Sequence, residues 1–103
     1  MPKFVFAYRQ PRGYQPSAES AGTWRAWFDS MGGHLVQLGN PAIDRTTVGE
    51  CRPEHTELGG FSVIEADDLE SATVIAKGCP QLPRGGGVEV GLLGDVPPEA
   101  AVS

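Results

Sequence analysis

The first strand of this chain is apolar on both faces, and that restricts the folds open to it more than any other feature. In Lys3-Phe4-Val5-Phe6-Ala7-Tyr8-Arg9, one face carries Phe4, Phe6 and Tyr8 and the other carries Val5 and Ala7. Side chains alternate along an extended backbone, so a segment apolar on both sides belongs in the middle of a sheet that is covered on both sides. The chain has 103 residues, enough for one domain and one core.

The remaining punctuation divides the chain into two similar halves. Gln10 to Pro16, with two prolines and a glycine, reads as a loop. A helix is expected from Ser17 to Met31, capped by Ser17, with Glu19 in its first turn. Trp24, Trp27, Phe28 and Met31 share one face at helical spacing, and Gly32-Gly33 supply the stop. A second strand, His34 to Leu38, ends at Gly39-Asn40-Pro41. Residues 41–57 show no clear period, apart from a short strand candidate at Thr46-Thr47-Val48. Gly59-Gly60 then introduces the strand Phe61 to Ala66, which runs directly into a helix read to Lys77. That helix carries a buried stripe of Leu69, Ala72 and Ala76, and Asp67 and Glu70 stand at capping-box spacing at its start. Gly78 and Pro80 close it. A last strand, Gly87 to Leu93, completes a domain over residues 1–94, leaving 95–103 as an extended tail.

This order predicts an α+β, ferredoxin-like βαββαβ domain. The expected sheet is antiparallel, ordered fourth–first–third–second strand, with both helices on one face. Two helices cover one side only. The apolar second face is then buried most simply by another copy of the chain, giving a homodimer.

Charge and cysteine usage remove several functions. Thirteen acidic against eight basic side chains give a net charge of −5, with no basic cluster to displace counterions from a phosphate backbone, so nucleic acid is not an expected partner. No apolar stretch approaches the roughly 20 residues of a spanning helix, so no membrane partner is expected either, and no secretory leader is visible. Cys51 and Cys79 match no metal motif, and they are expected as reduced thiols of a cytoplasmic protein. With only His34 and His55 available, neither a metal site nor a bound cofactor is expected. Gly85-Gly86-Gly87 precedes a strand rather than opening a helix, so it is no phosphate loop.

The block Leu58-Gly59-Gly60-Phe61-Ser62-Val63-Ile64-Glu65-Ala66-Asp67-Asp68-Leu69-Glu70-Ser71-Ala72, continuing through Ala76-Lys77-Gly78-Cys79-Pro80 and the Val88-Glu89-Val90 strand, resembles the YCII-related (DGPF-domain) family. The Trp24-Arg25-Ala26-Trp27-Phe28 helix and Gly39-Asn40-Pro41 are similar to one branch of it. The resemblance implies a dimeric α/β barrel. It also implies an Asp near the third strand, matched by Asp67, paired with a histidine on the first helix. That histidine has no counterpart here, where the turn reads Ser20-Ala21-Gly22-Thr23. The Asp-Gly-Pro-Phe motif is also missing; its place falls within residues 49–57.

Two functional readings follow. One is a non-catalytic module that binds a small molecule or a partner; the alternative is a cofactor-independent enzyme acting on a small aromatic or anionic substrate. The candidate catalytic residues are Asp67, which doubles as a helix cap, and His34, which strand pairing brings towards Glu65. The candidate ligand-binding residues are Tyr8, Arg9, Trp24 and Trp27, in a cleft between sheet and helices. A tryptophan stripe at this spacing is more often simply core.

Overall fold

A computed structural model describes residues 1–95; the tail expected at 95–103 lies, from residue 96 on, outside the described residues. In chain order the elements are β1 (Lys3–Pro11), α1 (Ala18–Met31), β2 (Leu35–Gln37), β3 (Thr56–Glu65), α2 (Leu69–Ala76) and β4 (Gly87–Leu92). The strands form one antiparallel sheet in the order β2-β3-β1-β4, an α+β arrangement compatible with a ferredoxin-like fold. No helix among the described residues is long and apolar enough to cross a membrane.

The alternation in β1 sorts its residues as the sequence predicts. Phe4, Phe6 and Tyr8 are buried beside Ile64 of β3, beneath Trp27 and Met31 of α1 and Ala72 and Ala76 of α2, so both helices share one side of the sheet. Burying each Phe contributes roughly 1.5–3 kcal/mol. On the other side, Val5, Ala7 and Val63 are half-buried and Phe61 is exposed.

Helix α1 begins as read: Ser17 accepts from Ser20 N at 3.0 Å, and Ser20 Oγ in turn accepts from Ser17 N at 2.8 Å. Gly32, at φ 57°, ends the helix in a conformation that a β-carbon disfavours.

Four points differ from the sequence reading, besides β1 itself, which runs on to Pro11 because Gln10 and Pro11, read as loop, pair with Glu57 and Thr56. Strand β3 starts at Thr56, five residues before Phe61, because Gly59 is accommodated as a bulge: Tyr8 pairs with Gly60 but Arg9 with Leu58. The glycine pair therefore lies inside a strand rather than marking its start. Second, β2 shrinks to Leu35–Gln37, with His34 in a single 3-10 turn, and its register slips between Leu35 and Gln37. Third, α2 is capped by Asp68 and not by Asp67: the Asp68 carboxylate accepts from Ser71 N at 2.7 Å, which holds its pKa below the ordinary aspartate value. With the cap one residue later, Leu69 is the first helical residue and stays 53% exposed, so the buried stripe is Ala72 and Ala76 alone. Fourth, Thr46-Thr47-Val48 makes no strand.

Candidate functional site

A half-open cleft of about 630 Å³ lies between α1, the sheet and the loop that follows β2. This is the size range of small-molecule sites. One wall is the exposed edge of the aromatic stripe on α1. Trp27 sits behind it in the core, stacked near-parallel to Phe6 with centroids 6.2 Å apart. Trp24 and Phe28, half-buried, face the cleft, and Trp24 meets Tyr8 edge-on at 4.9 Å. The tryptophan pair thus divides into one core residue and one cleft residue.

The opposite wall is the segment Leu38-Gly39-Asn40-Pro41, fastened to β3 by several backbone contacts. Phe61 N donates to Asn40 O at 3.3 Å, Ala42 N donates to Gly59 O at 3.0 Å, and Ser62 Oγ donates to Leu38 O at 2.6 Å. Two glycines permit this close approach. Gly39 has φ 76°, and a β-carbon there would fall on the Phe61 carbonyl. At Gly60, φ is 147° and a β-carbon would stand 2.6 Å from Asn40 O. Both conformations suit glycine alone, so the wall depends on these positions.

Further along the same loop, Arg45 acts as a staple. It donates to Leu58 O, Ala42 O and the Glu57 carboxylate at 2.6–2.8 Å, and Gln10 donates to that same carboxylate at 2.9 Å.

The floor holds Tyr8 and Gln81. Burial pushes the Tyr8 phenol pKa well above the ordinary tyrosine value, and Ser62 beside it offsets this only in part. Tyr8 is therefore a neutral donor at any ordinary pH. The cleft lining contains Arg25 and Asp29, one turn apart on α1, but no histidine or cysteine.

Of the residues singled out from sequence, Tyr8 and Trp24 come together in this cleft. Trp27 supports them from behind. Arg9 does not join them: past the bulge it donates to Thr56 Oγ1 at 3.2 Å and to Thr56 O at 2.8 Å. His34 is exposed, and its Nδ1–H donates to the backbone carbonyl of Glu65 at 2.8 Å rather than to its carboxylate. Asp67 is exposed beside the α2 cap and lies outside the cleft lining. Gln81 was not legible as a site residue. It belongs to no periodic segment and lines the cleft from the start of the 3-10 turn Leu82–Arg84, which the chain brings beside Arg9 of β1 at Gly86.

No group of three or more metal-ligating side chains occurs among the described residues. Neither cysteine is in a disulfide: Cys51 is exposed, and Cys79 is buried with its thiol pKa raised by that burial. Comparison of the chain with protein families and with curated proteins finds no match.

Proposed function

We propose that this chain is a non-catalytic binding module that holds a small, largely apolar molecule in the cleft between α1 and the 38–41 segment. The carrying observation is the cleft itself: aromatic residues of α1 face a backbone wall built by Gly39 and Gly60. The enzyme alternative gains no support from this geometry. His34 and Asp67, which would carry acid–base chemistry, are both outside the lining, and His34 is bonded to the Glu65 carbonyl.

We further propose that the fold is a ferredoxin-like βαββαβ unit of the YCII-related type, pairing through its helix-free face as a dimeric α/β barrel. The kinship rests on the 58–90 block quoted above. The pairing rests on the composition of that face. Register places Val5, Ala7, Val63 and Phe61 side by side at its centre, and Lys3, Arg9, Glu65 and Glu89 around them. An apolar centre with a charged rim is the anatomy of a protein interface. Two unpaired cysteines suit a reducing, cytoplasmic setting.

Native mass spectrometry of the protein as purified tests both readings at once. The expected result is a dimer that takes up added small aromatic molecules, with uptake lost in Trp24→Ala. A monomer contradicts the pairing, and a wild-type protein that takes up no such molecule contradicts the cleft.

A further inference from the structure

Strand β2 covers the outer edge of β3 only as far as Gln37, which lies opposite Val63. Past that point the chain covers the edge by other means. Pro41 bridges Gly60, Ala42 N donates to Gly59 O at 3.0 Å, and Arg45 Nε donates to Leu58 O at 2.8 Å. The guanidinium thus gives Leu58 the donor that the backbone of a neighbouring strand would give.

Two further hydrogen bonds make this side chain a junction. Its NH2 group donates to Ala42 O at 2.6 Å, directly after the wall residues 38–41, and its NH1 group donates to Glu57 Oε2 at 2.8 Å. The same Glu57 oxygen accepts from Gln10 Nε2 at 2.9 Å, and Gln10 lines the cleft. A guanidinium serves three separate acceptors through its fixed fork, which the compact ammonium of a lysine does not match. The pair is also sheltered: the Glu57 side chain is 14% exposed and that of Arg45 29%. By contrast, the Arg52–Glu50 pair on the same loop lies open to solvent, where such pairs hold little.

Neither Arg45 nor Glu57 belongs to the cleft lining. Any effect of Arg45 on a bound molecule therefore passes through Ala42, next to the wall, and through Gln10. The near end of the wall is fastened separately, by Ser62 to Leu38 O, so Arg45 bears on the end at Pro41 and Ala42. Resting on the small-molecule reading above, we propose that Arg45 is a positioning residue of the cleft. It touches no ligand, and it keeps the 38–41 wall at the distance from Trp24 and Phe28 that lets an apolar molecule be covered from both sides. A wall seated in only a fraction of the molecules lowers the apparent affinity by that fraction.

The test is a toluene titration of the full chain followed by 1H–15N NMR, at a temperature where circular dichroism shows each variant folded. Arg45→Met keeps the stem and removes the fork, and it is expected to bind toluene about tenfold more weakly than the wild type, as when the wall is seated in about a tenth of the molecules. Before toluene is added, its Gly39, Asn40 and Ala42 amides are expected to shift while those of Phe4 and Phe6 in the core stay in place. Arg45→Lys keeps the charge beside Glu57; it is expected to lose about threefold, and it carries the test if Arg45→Met does not fold. Arg52→Met removes a cation of the same loop and is expected to bind toluene as the wild type does. Affinity within twofold of the wild type in Arg45→Met, wild-type affinity in Arg45→Lys where that variant carries the test, or an equal loss in Arg52→Met overturns this proposal and leaves the cleft reading standing. If the wild type binds no toluene, the cleft reading falls and this proposal with it.

Discussion

Truncating the two tryptophans one at a time separates core from cleft. Trp27 stacks on Phe6, meets Tyr8, Trp24 and Phe28, and packs so closely on the end of α2 that a β-carbon at Gly78 would come within 2.8 Å of its indole nitrogen. Removing such a side chain leaves a cavity that neither helix can fill, and Trp→Ala changes of this kind cost about 3–5 kcal/mol. Against a total stability of about 5–15 kcal/mol, that is a large fraction, and at roughly 4 °C per kcal/mol it lowers Tm by about 12–20 °C. Trp24 is half-buried with one side on the cleft, so Trp24→Ala removes less packing and is expected to cost about 1–2 kcal/mol. Urea denaturation followed by circular dichroism gives both values, and Trp27→Leu extends the comparison if Trp27→Ala is too unstable to fold. Equal losses at the two positions, or a loss under about 1.5 kcal/mol for Trp27→Ala, would refute the division of the aromatic stripe.

Three further outcomes follow from named contacts. Gly39→Ala is expected to cost at least about 1–3 kcal/mol by thermal denaturation, because it combines φ 76° with a collision against the Phe61 carbonyl; a neutral result would contradict the account of the wall. The folded chain holds the Tyr8 proton more tightly than the unfolded chain does, so stability is expected to fall as pH rises past about 10, where the unfolded phenol ionises. Urea midpoints at pH 8 and 11 should therefore drop further for the wild type than for Tyr8→Phe, and parallel drops would rule out a buried phenol. Under native conditions a thiol reagent is expected to label Cys51 rapidly and Cys79 only after denaturation. Equal native rates would place Cys79 at the surface.

Much of the fold was legible because it rests on local rules. The two-faced pattern of β1, the Ser17 cap and the glycine stop of α1 are each decided within a few residues. What escaped the sequence was decided by pairing between distant segments. Gly59-Gly60 reads locally as a turn, and only β1 opposite it makes the pair a bulge inside β3. Asp67 and Asp68 are both able to cap α2; which one does so is settled by where β3 releases the chain. The cleft was half legible for the same reason. Tyr8 and Trp24 declare themselves by periodicity, whereas the 38–41 wall and Gln81 are brought in by contacts more than 20 residues away in sequence, such as Ser62 to Leu38.

The central claim is that a small apolar molecule binds between α1 and the 38–41 segment, and the most direct measurement is a 1H–15N NMR spectrum of the protein titrated with toluene. The account predicts concerted shifts of the Trp24 indole N–H and of the Tyr8, Gly39 and Gly60 amides, with Val5 and Val63 on the helix-free face unmoved. An unchanged spectrum, or shifts confined to Val5, Ala7 and Val63, would contradict it.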